Sequence, residues 1–313
     1  MANNQPFFLD NLLEVLHGDY SREGLADNHE LVTVASIDDK NYDPSRKAIT
    51  WCHSSADNKQ EIIEKTQATV IVCDESVVLS SKVQSTKTLI KVVDPKLAFT
   101  RMIRSITVDQ NEPGVHPSCV VHPEAEIDPS ASIGPNCTIG KCVIGAGTNI
   151  HGNCFLYDGV VIGDEVVIEA GVVLGAEGFG LAKTSEGAWE RFPHLGGVRL
   201  SNRVEVGAGS TIDRGAIQDT FIGEGTKISK AVHISHNVKI GKHCLITGAV
   251  SIAGSTTIGD HVWLSPGVTI LNKLSIGNHA FVAIGATVTQ SIPDHYQAIG
   301  RKIIPKKPEN GNE

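Results

Sequence analysis

A histidine and a glycine eighteen positions apart, His236 and Gly254, could together support acyl transfer to an amine. A neutral imidazole can take a proton from the attacking nitrogen near neutral pH. The backbone amide of a glycine can donate a hydrogen bond to the developing oxyanion, and the missing side chain lets a substrate approach the backbone closely. No serine or cysteine nucleophile is required, so direct attack by the amine is the simplest mechanism. Taken alone, His236 is more readily interpreted as an ordinary outward-facing residue.

The scaffold that would position these residues is a repeat of six. In one stretch, every sixth residue (the anchor) is branched and apolar: Ile222, Ile228, Ile234, Ile240, Ile246, Ile252, Ile258, Leu264, Ile270, Ile276, Val282 and Val288. A strict period of six fits neither an amphipathic helix nor an alternating strand. It is typical of parallel β-helices, and three sides of six residues would make one coil. Residues eighteen apart then stack at about 4.8 Å. Because His236, Gly254 and Asn272 each lie two residues after an anchor, we expect them to form one column.

The repeat extends upstream, interrupted by an insertion and two slips. Its anchors are Val115, Val121, Ile127, Ile133 and Ile139, then, after a one-residue slip, Ile144, Ile150, Leu156, Ile162, Ile168 and Leu174, and finally Leu200, Val206 and Ile212 before a four-residue slip. The insertion, residues 175–197, breaks the period, so we expect it to leave the β-helix as a loop. Long loops on a regular scaffold are usually functional. Its aromatic residues Phe179, Trp189 and Phe192 are expected to be packed.

Residues 1–107 show a different pattern. Strand-like segments at 48–51, 69–73 and 89–93 alternate with helical segments at 9–16, 59–67 and 95–106. This alternation predicts a small α/β domain. Asp94 is the expected N-cap of the last helix, with Pro95 at its first position. The β-helix is expected to span residues 108–294. Residues 295–313, which end in RKIIPKKPENGNE, are expected to be a polar, frayed tail.

The composition limits the possible classes of function. The formal net charge of −8, with no basic patch interleaved with aromatic residues, argues against general nucleic-acid binding. The seven cysteines are an odd number and include no C-x-x-C pair, so we interpret them as reduced residues of a cytosolic protein. The N-terminus is too polar for a signal peptide, and no apolar run reaches transmembrane length. We therefore expect a cytoplasmic protein without a membrane span.

Several motifs together resemble one known family. GAEGFG at 175–180, TIDRGA at 211–216, ISHNVKIG at 234–241 and IAGSTTIG at 252–259, with AITW at 48–51, resemble the UDP-3-O-acylglucosamine N-acyltransferases of lipid A synthesis. The resemblance covers nearly the whole chain. It implies a left-handed parallel β-helix, a uridine-binding front domain and a homotrimer with sites between subunits. It also implies transfer of an acyl group from a thioester, on coenzyme A or acyl carrier protein, to a sugar amine, without a permanently bound cofactor.

The resemblance also assigns roles to residues. It implies that His236 is the general base, that the Gly254 amide binds the oxyanion, and that Trp51 stacks on uracil. Phe179, with the rest of the insertion, and Asn237 are predicted to shape the substrate groove, and Asn272 and Lys273 the donor side. The spacing places Asp213 one coil before His236, where it could orient the imidazole, bind sugar, or be a solvated carboxylate.

The chain departs from the family at three places. Lys273 stands where the family has a second histidine, Asp57 stands near the position of a tyrosine, and no C-terminal helices follow Pro305. These departures favour a relative that transfers a shorter acyl group, with coenzyme A as the expected carrier, to a nucleotide-linked amino sugar for surface polysaccharide. The alternative is the lipid A enzyme itself.

Two further readings come from other classes of protein. His243, His261 and His279 stack at eighteen-residue spacing, and imidazole triads bind zinc, as in the γ-type carbonic anhydrases. We prefer to interpret them as corner residues with positive φ, which histidine, asparagine and glycine tolerate, and we expect no metal site. A non-catalytic hexapeptide scaffold is the other reading.

Overall fold

The computed structural model describes residues 7–24, 31–38, 47–78, 80, 86–107, 112–300 and 302–306. The described residues form two compact units, one ending at residue 107 and one beginning at residue 112.

The first unit is a mixed sheet with helices. Its described strands occur in the order Phe7–Phe8, Leu31–Val34, Ala48–Trp51, Val70–Cys73, Thr88–Lys91 and Ser21–Glu23. The four central strands are parallel and the two edge strands antiparallel. The described helices are Leu9–Leu13, continued by a 3-10 turn Glu14–Leu16, then Lys59–Lys65 and Pro95–Thr107. The predicted strand–helix alternation is therefore confirmed.

The last helix of this unit begins as the sequence predicts. The Oδ1 atom of Asp94 accepts a hydrogen bond from the N–H of Leu97 at 2.9 Å, which satisfies one of the free amides of the first turn. Pro95 occupies the first helical position. The helix at 59 ends at Lys65, two residues before the predicted end, because Thr66 adopts an extended conformation.

The second unit is a prism of three parallel sheets. The first side contains Gly114–Val115, Ser132–Ile133, Asn149–Ile150, Val167–Ile168, Glu205–Val206, Lys227–Ile228, Leu245–Ile246, Trp263–Leu264, Phe281–Val282, Tyr296–Ile299 and Lys302–Pro305. The second side contains Val120–Val121, Thr138–Ile139, Phe155–Leu156, Val173–Ala176, Thr211–Asp213, His233–Ile234, Ser251–Ile252, Thr269–Ile270 and Thr287–Val288. The third side contains Glu126–Ile127, Val143–Ile144, Val160–Ile162, Val198–Leu200, Thr220–Ile222, Lys239–Ile240, Thr257–Ile258 and Ser275–Ile276.

The anchors of the repeat form the core of the prism. In the strand Ser251–Ile252, Ile252 is fully buried and pairs with Ile234 on one side and Ile270 on the other. Anchors eighteen residues apart are therefore vertical neighbours, as predicted. The four-residue slip is absorbed outside the strands, because Ile212 still pairs with Ile234 across twenty-two positions. The predicted parallel β-helix is confirmed.

The corners of the prism require left-handed backbone. Asn237, His243, His261, Lys273 and His279 have φ angles of 61°, 53°, 57°, 60° and 56°. The prediction of positive φ at these positions is correct. A side chain at such a position must tolerate a conformation that most L-residues avoid.

The insertion leaves the prism between Val173–Ala176 and Val198–Leu200 and contains an antiparallel hairpin of Leu181–Lys183 and Trp189–Arg191. The expectation of packed aromatic residues is wrong. The exposed fractions of Phe179, Trp189 and Phe192 are 77%, 64% and 45%. A two-stranded ribbon has no second layer to cover such side chains.

The expected frayed tail is also wrong for residues 296–305. Tyr296–Ile299 pairs in parallel with Phe281–Val282 and antiparallel with Lys302–Pro305. Ala298 stacks on Val282 and is buried. These residues extend the first side of the prism after the six-residue period has ended. Arg301 and residues 307–313 lie outside the described residues.

Candidate active site

The structure brings His236 and Gly254 into direct contact at the corner between the second and third sides. A methyl group placed on the α-carbon of Gly254 would lie 2.7 Å from Nε2 and 2.8 Å from Cε1 of His236. Contacts this short are forbidden between real atoms, so no residue larger than glycine fits beside the imidazole as it stands. The column predicted from the eighteen-residue spacing therefore exists.

The tautomer of His236 follows from its neighbour Asn237. The Oδ1 atom of Asn237 lies 2.9 Å from Nδ1 of His236 and accepts a hydrogen bond from the N–H of Ala216 at 3.1 Å. A backbone N–H can only donate, so the atom it meets must be the amide oxygen rather than the amide nitrogen. An oxygen cannot donate to Nδ1, so Nδ1 carries the proton. The lone pair of Nε2 is then free on the side of Gly254.

The N–H of Gly254 differs from equivalent amides at another corner. Between the third and first sides, Lys242, Asp260 and Asn278 also lie two residues after an anchor. Their N–H groups donate to the Oδ1 atoms of Asp260, Asn278 and Asp294 at 2.7, 2.8 and 2.8 Å. Within the described chain, no hydrogen-bond acceptor is found for the N–H of Gly254. This amide is available to an oxygen of a substrate.

Asp213 is buried beside three imidazoles. Its side chain is 12% exposed and its Oδ2 atom lies 3.9 Å from Nε2 of His233. Burial raises the pKa of the carboxyl group, while His233, His236 and His194 act in the opposite direction. The reading of Asp213 as a solvated carboxylate is wrong, because the side chain is buried beside the three histidines. The hydrogen bond that orients His236 comes from Asn237.

His194 is a site residue that the sequence did not indicate. It lies in the insertion and is only 4% exposed, and its Nδ1 lies 2.9 Å from the carbonyl oxygen of Phe192. Its ring centroid lies 5.2 Å from that of His236, with the ring planes at 70°. Among the described residues, Nε2 of His194 is the one buried side-chain nitrogen or oxygen without a hydrogen-bond partner. A residue in a segment without a repeat has no predictable column, which is why the spacing could not find it.

The remaining predicted residues are less constrained. Lys273 donates its N–H to the carbonyl oxygen of Gly254 at 3.0 Å, so it belongs to the column, and its side chain and that of Asn272 are exposed. Phe179 is exposed at the tip of the glycine segment 175–180. Trp51 belongs to the first unit, where its ring stacks on Phe99 at a centroid distance of 6.3 Å.

The stacked histidines do not form a metal-binding site. The rings of His243, His261, His279 and His295 stack at centroid distances of 5.3, 4.9 and 4.8 Å, with interplanar angles of 24°, 7° and 5°. The lone pairs of parallel rings lie in parallel planes and do not meet at one point, whereas metal ligands converge at about 2.0–2.1 Å from one ion. Over the described ranges, no group of three or more His, Cys, Asp or Glu residues is arranged to hold a metal ion.

Comparison with known proteins relates the chain to sugar acyltransferases. The GMPPB C-terminal domain family matches residues 115–178, and the hexapeptide repeat of succinyl-transferase matches residues 237–272. A UDP-3-O-acylglucosamine N-acyltransferase of Coxiella burnetii is 34% identical over 205 residues, 59% of this chain and 58% of that protein. The protein of the same name from Bordetella pertussis is 47% identical over 97 residues, 30% of this chain and 27% of that protein. The chain therefore matches less than two thirds of the length of these relatives.

A solved structure supports the same relationship. A UDP-N-acetylglucosamine acyltransferase of Francisella novicida superposes with a TM-score of 0.55 and 27% identity, covering 61% of this chain and 68% of that one. The predicted resemblance and the predicted left-handed β-helix are confirmed. Among the described residues, no helix has both the length and the apolar character needed to cross a membrane.

Proposed function

We propose that this chain, a hexapeptide-repeat relative of the UDP-3-O-acylglucosamine N-acyltransferases, transfers an acyl group from a thioester to the amine of a UDP-linked glucosamine derivative. One observation carries the proposal. At one corner of the prism, Nε2 of His236 lies against the α-carbon of Gly254, and no acceptor for the N–H of Gly254 is found among the described residues. A base and an oxyanion donor in contact are what acyl transfer to an amine needs.

The reaction would proceed by direct attack. The neutral amine attacks the thioester carbonyl carbon and forms a C–N bond, and the carbonyl electrons move to oxygen, which accepts the N–H of Gly254. His236 takes a proton from the attacking nitrogen at Nε2. The tetrahedral intermediate then collapses, the C–S bond breaks, and the departing sulfur takes that proton from His236. The products are an amide and a free thiol, and the imidazole returns to its starting form.

Asp213 supports the charged state of the base. His236 becomes an imidazolium when it holds the proton of the amine. The carboxylate of Asp213 is buried within electrostatic reach of this ring, and opposite charges interact strongly where water is excluded. Asp213 would therefore stabilise the imidazolium without being hydrogen-bonded to it.

The relatives favour a lipid A type acceptor over the amino sugar of a surface polysaccharide. Both curated relatives described above are named as UDP-3-O-acylglucosamine N-acyltransferases. We propose that Trp51 stacks on uracil, and that Phe179 and Asn237 border the acceptor groove. Asn272 and Lys273 lie on the donor side, where the ammonium of Lys273 can meet the phosphate of an acyl carrier protein or of coenzyme A.

We further propose a cytoplasmic homotrimer.

A direct assay tests the proposal. The purified chain would be incubated with UDP-3-O-acylglucosamine or with a UDP-linked amino sugar without the O-acyl chain. Each acceptor would be combined with hydroxyacyl carrier protein or with acetyl-coenzyme A, and amide formation measured by mass spectrometry. We expect product with the O-acylated acceptor and the carrier-protein donor. Product with the second acceptor and acetyl-coenzyme A alone would favour the surface-polysaccharide reading.

The matched variants are His236→Asn and His243→Asn. The first removes the base and should lower the rate by at least about 10²-fold, whereas the second changes an exposed histidine of the stacked column and should leave the rate unchanged. Absence of product with every pair, or full activity of His236→Asn, would support a non-catalytic scaffold. Light scattering would test the trimer.

A further inference from the structure

Neighbouring residues hold the ring of His236 on three sides. Asn237 fixes Nδ1, and Gly254 lies against Nε2 and Cε1. On the remaining side lies Gly178 of the insertion, where an added methyl group would lie 2.7 Å from Cβ and 2.9 Å from Cδ2 of His236. The insertion therefore forms one wall of the imidazole site.

His194 lies against both this wall and the His236 ring. The same methyl group on Gly178 would lie 2.9 Å from Nε2 of His194, and one on Gly180 would lie 2.8 Å from its Cε1. The two glycines thus bring backbone against the His194 ring, and the edge of that ring meets His236 at 70°. Displacing or enlarging His194 would move the wall and release the His236 ring.

The environment of His194 suits only a neutral ring. Nδ1 donates its proton to the carbonyl oxygen of Phe192, so the lone pair of the neutral ring lies on Nε2. A proton added to Nε2 would create a buried N–H with no acceptor in this arrangement, which is strongly unfavourable.

The charged and titratable groups around His194 are few. Those of the prism are Asp213, His233 and His236, which interact electrostatically with one another. In the insertion itself, Glu177 and Arg191 approach each other at 3.8 Å and are about half exposed. A protonated His194 would compete with His236 for the negative charge of Asp213. It would therefore oppose the imidazolium that the proposed mechanism requires.

We propose that His194 is a positioning residue whose neutral imidazole holds the ring of His236 against Gly254, so that the site works only while both rings are neutral. This inference rests on the proposed function, and it adds a second histidine on which catalysis depends. His194 touches neither reactant. It acts through His236.

The first test is the pH dependence of kcat/KM in the wild type, His194→Phe and His194→Gln. After the rates are divided by the neutral fraction of the acceptor amine at each pH, two rings that must both be neutral make kcat/KM fall by about 100-fold per pH unit at the acid limit, and one ring gives about tenfold. We expect the second-order fall in the wild type and the first-order fall in both variants. His194→Phe should also lower kcat at alkaline pH by about 10- to 100-fold, with KM little changed.

The glutamine variant is the conservative rescue, because its amide can still donate to the carbonyl oxygen of Phe192. It should recover more of kcat than phenylalanine does while showing the same first-order limb. His243→Gln, in the exposed histidine column, is the control and should keep the second-order limb. If His194→Phe does not fold, as judged by circular dichroism, His194→Gln carries the test.

The second test needs no activity and separates this inference from the proposed function. The full-length chain would be labelled with ¹⁵N at its histidines, and the ring resonances of His194 and His236 titrated by NMR. We expect each ring to sense the protonation of the other in the wild type, and His236 to titrate as a single group in His194→Phe.

If no acyl transfer is found but the two rings titrate together, the proposed function fails and the coupling stands. A first-order acid limb in the wild type, or a His236 titration that is unchanged in His194→Phe, would overturn the inference.

Discussion

The side-chain oxygen of Asn237 lies 2.9 Å from Nδ1 of His236, its immediate neighbour in the chain. Adjacent residues rarely face each other in a strand or helix. Here they do, because Asn237 occupies a left-handed corner with φ 61°. The corner turns the amide back onto the imidazole. The backbone N–H of Asn237 donates a hydrogen bond to the hydroxyl of Thr220 at 3.0 Å. The backbone conformation of one residue thus sets the tautomer of the next.

The variants Asn237→Gly and Asn237→Ala distinguish the effect of the backbone conformation at this position from the effect of the side-chain hydrogen bond. Both remove the oxygen that holds Nδ1, so both should lower kcat by about 10- to 100-fold. Alanine should additionally destabilise the fold relative to glycine by about 1 kcal/mol, because it is strained in the left-handed region. Steady-state kinetics and chemical denaturation measure the two effects. Full kcat in the glycine variant would show that Asn237 does not orient the base.

Gly254→Ala should abolish most of the activity. The new methyl group would lie 2.7 Å from Nε2 of His236, so the ring must move away from the amide. We expect kcat/KM to fall by about 100-fold or more. Gly248→Ala is the control, because its methyl group would lie 3.5 Å from the nearest atom, the carbonyl oxygen of Lys230, an ordinary contact. Equal kinetics for the two variants would contradict the role of Gly254.

Asp213→Asn should raise stability while it lowers activity. Burial raises the pKa of this carboxyl group above 3.8 in the folded protein. Its neutral form is therefore favoured by folding, and the stability it contributes at low pH is lost as the pH rises through the folded pKa. The neutral asparagine avoids this loss. The unfolding midpoint of Asp213→Asn should exceed that of the wild type at pH 7.5, and the difference should shrink as the pH falls.

The kinetic effect of the same variant has the opposite sign. Without the carboxylate, the imidazolium of His236 loses its counter-charge, so kcat should fall. A variant that is less stable than the wild type at pH 7.5 would show that interactions with the neighbouring histidines outweigh the burial of Asp213.

Four thiols should be inert in the folded protein. Burial raises the pKa of Cys73 to about 12 and those of Cys142, Cys154 and Cys244 to about 11. Thiolate, rather than thiol, is the reactive form. We expect iodoacetamide at pH 8 to leave these four unmodified until the chain unfolds, as read by peptide mass spectrometry. The partly exposed Cys119 is the internal comparison. Labelling of Cys244 in the folded protein would indicate local opening of the prism.

The period of six predicted the prism because each apolar anchor side chain can be buried only inside a coil. Ile234, Ile252 and Ile270 stack as their spacing requires. The same arithmetic placed His236 beside Gly254, since residues at fixed offsets from stacked anchors are themselves stacked. Anchors also stack across the four-residue slip, because the slip lies in a corner and leaves the strand pairing intact.

The eighteen-residue spacing could not predict the features that interrupt the repeat. The histidine column has a fourth member, His295, which lies sixteen rather than eighteen residues after His279 and still stacks on it at 4.8 Å. The hairpin of the insertion and the strands at 296–305 have no anchors to give their register. Their positions depend on which edges and surfaces the prism leaves open.

The sequence by itself determined the coils, the left-handed corners and the contact between an imidazole and a bare glycine, because all three follow from a strict translation along one axis. The tertiary structure alone decided which nitrogen of His236 is free, that Asp213 is buried, and that His194 lies against the base. Those properties depend on side-chain contacts, such as those that Asn237 and His194 make with the His236 ring, and the spacing of residues along the chain does not specify these contacts.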